Sequence, residues 1–216
     1  YLLLKKKLLH FATELQKIFK QLSMQHPNKK IKSYKKLYQL FNSDTVFVAF
    51  DTETTSISPS TGRIIEIGAV KFNKDGIISD YSQLINPCSI IPSFITELTH
   101  ITQNMVNNQK PINSYLPTFL DFINNTVLIA HNAQFDLNFL NSECEKCNLP
   151  VTKNKFIDTL DLTRWAYPTL GKYKLEFLTD VMKIDKGNAH RALDDAFSCR
   201  EVFLRTLKDT DPIQIH

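Results

Sequence analysis

Glycine is scarce in this sequence, at 5 of 216 residues, and prolines number only 9, which excludes a collagen-like or low-complexity chain. Cysteine is sparse too. Of Cys88, Cys144, Cys147 and Cys199 only Cys144 and Cys147 are close, and no second Cys-x-x-Cys or His-x-x-x-His completes a zinc set. That pair falls inside a helical pattern, whereas a redox motif follows a strand, so reduced thiols in a cytoplasmic protein are the expected state. No apolar run approaches the ~18 residues of a membrane span, because Lys5-Lys6-Lys7 divides the leucines on either side. Arginine is missing before Arg63, which argues against an Arg-rich presequence. The chain starts on Tyr1, not Met, and is therefore expected to be part of a longer protein.

At 43% hydrophobic and 22% charged residues the chain can bury a full core, so wholesale disorder is excluded. The net charge of +4 is unevenly spread. Residues 1–43 hold ten lysines and a single acid, Glu14, for a net +9, which leaves −5 on the remainder. A basic arm suits a polyanion, and an acidic body suits a cation site.

Leu4, Leu8, Phe11, Leu15, Ile18 and Leu22 recur at helical spacing and predict an amphipathic helix with a narrow apolar seam. Docking of that seam on the body, a second copy or a partner is expected, because so short a helix is marginal alone. His26-Pro27-Asn28 ends the pattern, and a short helix near 34–41 leads to a turn at Asn42-Ser43-Asp44. The expected division is a basic helical extension, 1–43, and one α/β domain, 44–216.

Within the domain, residues 46–50 form a short apolar run, as in a buried strand, and 62–72 and 77–85 read as two more strands. Asp75-Gly76 between the latter two predicts a hairpin. Strands are expected again at 127–130 and 156–157, with helices at 92–98, 102–106, 112–123, 133–147, 160–167, 175–182 and 192–207. An antiparallel meander feeding a parallel βαβ portion gives a mixed five-stranded sheet with helices on both faces.

Asp51 and Glu53 follow the first strand of the domain. Side chains two apart on extended chain point the same way, so the two carboxylates face one spot, where they need a cation or a proton between them. A solvated turn is the competing reading of Asp51-Thr52-Glu53-Thr54-Thr55. Asp136, in His131-Asn132-Ala133-Gln134-Phe135-Asp136, starts a helix directly after a buried strand. Acids are common in first helical turns, but ligands of open sheets bind at this strand end. His190 and Asp195 are five apart, about 140° on one helix, and converge only if His190 lies in the loop before it. Spacing leaves open whether Asp194 or Asp195 faces the site.

These three segments resemble the motifs of DnaQ-like, DEDDh-type 3′→5′ exonucleases, in order and over about residues 46–207. Arg63-Ile64-Ile65-Glu66-Ile67-Gly68-Ala69-Val70, Leu98-Thr99-His100-Ile101-Thr102 and Asp158-Thr159-Leu160-Asp161-Leu162 resemble the family as well. The first and last of these are most similar to the polymerase III epsilon and PolC-type proofreading group. The resemblance implies an RNase H-like fold and two divalent cations, Mg²⁺ or Mn²⁺, on Asp51, Glu53, Asp136 and Asp195. It implies His190 as general base, and its His-x-x-x-x-Asp interval selects Asp195. Thr54, Thr55, Leu98 and Phe135 then bind the terminal nucleotide, with His131 and Asn132 orienting the loop or satisfying buried backbone.

The implied partner is a single-stranded 3′ end, DNA favoured over RNA, in proofreading or repair, with a DNA polymerase or replisome subunit as a possible associate and no membrane. The alternatives are an exoribonuclease of RNase T or oligoribonuclease type, or a non-catalytic nucleic-acid-binding module of the same fold. Many members carry glycine where Ser56 and His100 stand, close to the implied nucleotide pocket. Trp165 and Tyr167 read as core or rim residues and Lys172-Tyr173-Lys174 as a solvated loop, while the lysines of 29–36 suit phosphate contact.

Overall fold

The computed structural model describes residues 28–185 and 190–210. The expected helix of residues 4–22 lies outside them. The sheet has six strands, β1 Lys29–Lys30, β2 Phe47–Thr54, β3 Ile64–Asn73, β4 Gly76–Leu84, β5 Val127–Ala130 and β6 Lys155–Asp158, in the order β1-β6-β5-β2-β3-β4. The antiparallel meander β2-β3-β4 and the parallel set β2-β5-β6 are as expected. The expectation of five strands is corrected by β1, a two-residue strand that pairs parallel with β6. Its residues are lysines without alternation, so only backbone pairing with the open edge of β6 makes it a strand.

The meander turns where Asn73 Oδ1 accepts the N–H groups of Asp75 and Gly76. Gly76 has φ +139°, which suits a residue without Cβ. The helices are α1 Tyr34–Phe41, α2 Ser93–Thr99, α3 Gln103–Asn107, α4 Leu116–Phe122, α5 Gln134–Lys146, α6 Thr159–Ala166, α7 Leu175–Met182 and α8 Ala192–Asp209. The single helix expected over 112–123 is a 3₁₀ turn, Ile112–Ser114, followed by α4.

Alternation along β2 builds two cores. Val48 and Phe50 pack with Phe119 of α4 and Leu137, Phe139 and Leu140 of α5. Phe47 and Ala49 face the other way, towards Cys199, Phe203 and Leu207 of α8 and Leu37 of α1. Each fully buried large apolar side chain contributes about 1.5–3 kcal/mol, so Leu37 makes α1 part of the body's core. The same segment is fastened by Tyr34, stacked on Trp165 at 3.6 Å between ring centroids, and by the Tyr38 hydroxyl on the Leu207 carbonyl at 2.7 Å. Trp165 is thus a rim residue. No described helix is long and apolar enough to cross a membrane.

Candidate active site

Strand β2 runs on past the expected 46–50 through Asp51-Thr52-Glu53-Thr54, extended as the paired-carboxylate reading requires and not the competing solvated turn, because Asp51, Thr52 and Glu53 stay in antiparallel register with β3. Asp51 lies opposite Gly68 and Glu53 opposite Glu66. By alternation Asp51 and Glu53 share the face of Phe47 and Ala49, which α8 covers, and Thr52 faces α5. The buried Asp136, in the first turn of α5, is gripped from β2: its Oδ1 accepts the Thr52 N–H at 3.0 Å and the Thr52 hydroxyl at 2.8 Å. All three acids stand at the carboxyl edge of the parallel strands.

The fourth acid arrives on α8. His190 occupies the turn before the helix, with φ +63°, and its N–H donates to Asp195 Oδ2 at 3.2 Å. Glu53, His190 and Asp195 each offer a ligand atom within 4.8 Å of the others, so it is Asp195 that stands beside Glu53 and His190. The helix can approach this closely because β3 has Gly68 beneath it. A Cβ there would lie 2.1 Å from the backbone of Ala192 and Leu193. Glu66, buried in β3, takes Arg191 in a forked ion pair, with Nη2 at 2.7 Å from Oε1, and accepts the Ala192 N–H on Oε2 at 3.0 Å. Glu66 and Arg191 therefore fix the start of α8, and with it His190 and Asp195.

The electrostatics report the same convergence. Burial holds the Asp51 carboxyl well above the usual carboxylate range, reinforced by the charges of Asp136, Glu53, Asp195 and Glu66 in turn. Glu53 is pushed up to about 8, chiefly by burial and then by Asp195, Glu66 and Asp136, against a lowering from Arg191. Burial raises Asp136 to about 7 despite the Thr52 hydrogen bonds, and Asp195 to about 6 despite His190. Acids drawn together in this way favour either protons or a hard cation. The nearby guanidinium of Arg191 is already engaged by Glu66. A donor set dominated by carboxylate oxygens suits a hard divalent cation.

Around the acids, the Thr54 hydroxyl donates to the Ser56 carbonyl, and the Thr55 hydroxyl accepts the Arg63 N–H. Arg63 is in turn paired with Glu143 of α5, buried and also reached by Lys146. Leu98 of α2 is half-exposed and borders a pocket of about 250 Å³ with His190, Asp195, Lys174 and Ser198. Phe135 is half-buried against Phe139. His100 has φ +58°, which accounts for glycine at the matching position in many members.

His131 is turned inward. The Tyr173 carbonyl, 2.7 Å from Nε2, can only accept, so Nε2 carries the proton and Nδ1 accepts the Thr159 hydroxyl at 2.9 Å. Burial lowers the His131 pKa, in keeping with this neutral ring. Asn132, at φ +65°, gives its N–H to Asp158 Oδ1 at 3.0 Å. Thr52, Glu66, Arg191 and Asp158 were not singled out from sequence as site-building residues. Their partners lie far along the chain, and the local signals were a lone acid, Glu66, inside an apolar strand and the place of Thr52 and Asp158 in segments that resemble the family.

A mixed sheet with four acids and a histidine meeting at its carboxyl edge defines a class, the metal-dependent nucleases of RNase H-like fold. Residues 48–203 match the RNase_T model, an exonuclease family. The chain belongs to this family, the DnaQ-like, metal-dependent 3′→5′ exonucleases. It is 43% identical over 165 residues to a PolC-type DNA polymerase III of Clostridium perfringens, an alignment covering 76% of this chain and 11% of the relative. The DNA polymerase III epsilon subunit of Treponema pallidum is 42% identical over 159 residues, covering 73% of this chain and 74% of that one. The chain thus spans about a tenth of the PolC-type relatives. Exonuclease X in complex with 5′-overhanging duplex DNA superimposes with a TM-score of 0.61 at 25% identity, over 76% of this chain and 92% of that chain. The nuclease domain of 3′hExo, a DEDDh family member bound to rAMP, shares the fold with a TM-score of 0.67 at 22% identity, over 76% and 92% respectively.

Proposed function

We propose that this chain removes nucleotides from single-stranded 3′ ends, DNA before RNA, releasing nucleoside 5′-monophosphates in proofreading or repair. The observation that carries the reading is the meeting of Asp51, Glu53, Asp136 and Asp195 beside His190 at one sheet edge. The four carboxylates would hold two divalent cations, Mg²⁺ or Mn²⁺, which when bound offset the clustered charge, activate water and stabilise the leaving 3′-oxygen. His190, steadied through its backbone on Asp195, takes the proton of the attacking water. Thr52 keeps Asp136 aimed at the edge from the opposite layer. Leu98 and Phe135 flank an unstacked terminal nucleotide by apolar contact, which reads no sequence. Thr54 and Thr55, at the end of β2 and tied to Ser56 and Arg63, would wall the nucleotide site, with His131 and Asn132 orienting the loop beside it.

The DNA preference is supported by relatives that are DNA polymerase III components, and the same likeness favours a polymerase as associate and a cytoplasmic location. A 5′-labelled single-stranded DNA and its RNA analogue, incubated with the chain and Mg²⁺, test the reading. Stepwise shortening from the 3′ end, faster on DNA and with 5′-monophosphate product, is expected. A strong RNA preference would reassign the substrate, and no release from either substrate with Mg²⁺, or with Mn²⁺ in its place, would leave a binding module.

A further inference from the structure

The family match begins at residue 48, yet the described chain before it is built into the catalytic body. Asn28 hydrogen-bonds Thr152, the Asn154 carbonyl and Asn141, a buried residue of α5. Lys29–Lys30 closes the edge of β6, Tyr34 stacks on Trp165, and Leu37 enters the core. Of the lysines expected to meet phosphates, Lys30 is instead engaged within the protein. It pairs with the exposed Asp161 and lies 3.5 Å from Oδ2 of Asp158, which is only 8% exposed.

Asp158 is where this strap meets the site. While Oδ2 faces Lys30, its Oδ1 accepts two N–H groups at 3.0 Å, that of Leu160, which caps α6, and that of Asn132. Asn132 is in the left-handed region, and its carbonyl receives the Phe135 N–H one residue before Asp136. The neighbouring His131 is tied to Thr159, the first residue of α6. An uncompensated carboxylate with little exposure prefers to swing towards water, and here that would release Asn132.

We propose that Lys30 is a positioning residue for the exonuclease reaction: by neutralising Asp158 it keeps the Asn132 turn, and so Asp136, in working geometry. The segment 28–41 is then an internal strap of the active site, supplied from outside the family's matched region. The proposal rests on the exonuclease reading above. Residues that orient ligand groups directly contribute about 10–100-fold to activity or metal affinity. Lys30 acts through Asp158 and the Asn132 turn, several links further out, so a smaller loss of about 3–10-fold is expected.

The test compares Lys30→Met, Lys30→Arg and Asp161→Asn in the full chain, by kcat and KM on a short single-stranded oligonucleotide and by amide exchange at Asn132 without substrate. Lys30→Met should lower kcat about 3–10-fold with KM within about twofold, and should speed Asn132 exchange. Lys30→Arg should restore both, and Asp161→Asn, which removes the exposed pairs with Lys30 and Arg164 but keeps Lys30 beside Asp158, should match the parent. Parental kcat and parental Asn132 exchange in Lys30→Met would overturn the proposal, as would equal losses in Lys30→Met and Asp161→Asn. If the parent chain itself releases no nucleotide, the exonuclease reading fails, and Asn132 exchange alone then decides whether Lys30 holds the turn.

Discussion

Asp51 is the residue on which four other acids act, and its substitution separates catalysis from folding. Asp51→Asn should abolish nucleotide release while raising the metal-free melting temperature at pH 8, because one member of a repelling cluster is removed. Retained turnover would show that the ligand is another residue. The pH dependence follows from the same crowding. The folded pKa values of Glu53, Asp136 and Asp195, at about 8, 7 and 6, lie above those of an unfolded chain, near ~4. The folded state therefore holds protons that the unfolded chain releases. Its stabilisation from these groups is complete below about pH 4 and is lost as pH rises through 6 to 8. Melting in EDTA should occur at lower temperature at pH 8.5 than at pH 6, with Mg²⁺ narrowing the gap. A metal-free melting temperature that climbs over this interval would contradict the shifts. His190→Ala should instead lower kcat about 10²–10⁴-fold, as for a lost general base, with metal binding largely kept.

Among the elements, α8 on β3 is the contact that assembles the site, and Gly68 and Glu66 are its two requirements. In Gly68→Ala the new methyl meets backbone, so α8 must lift from the sheet; urea unfolding should show a loss of about 1–3 kcal/mol or more. Parental stability there would mean that α8 sits further from β3. Glu66→Gln keeps the size and an acceptor for Ala192 but gives up the charge paired with Arg191. Steady-state kinetics should show kcat about 10–100-fold lower with a smaller change in KM. An unchanged kcat would reduce the Glu66–Arg191 pair to a purely structural tie.

Such cross-element contacts were the least legible part of the sequence. Asp51, Glu53, Asp136, His190 and Asp195 stood in short segments whose order could be read directly. The grip of Thr52 on Asp136 joins residues 84 apart, and Glu66 and Arg191 are 125 apart, with no periodicity linking them. The meander was readable because Asp75-Gly76 marks its turn chemically, whereas Lys29–Lys30 takes strand form only from the edge it meets. The shared direction of Asp51 and Glu53 was readable from extended-chain alternation, but the length of β2 was not, since the register with β3 carries the strand past Phe50.

At the scale of the whole molecule, one sheet edge gathers acids from β2, α5 and α8, and a basic segment from outside the matched region braces it. Of the expected extension, 1–43, residues 1–27 lie outside the described ones, and the described residues 28–41 are packed on the domain expected at 44–216. The most direct measurement is release of nucleoside 5′-monophosphate from single-stranded DNA as Mg²⁺ is titrated, for the parent chain and for Asp195→Asn. The parent should show no release in EDTA and saturating release with added Mg²⁺, and Asp195→Asn should stay inactive at every concentration while remaining folded. Release by the parent in EDTA, or near-parental release by Asp195→Asn, would contradict a metal-dependent exonuclease built on these carboxylates.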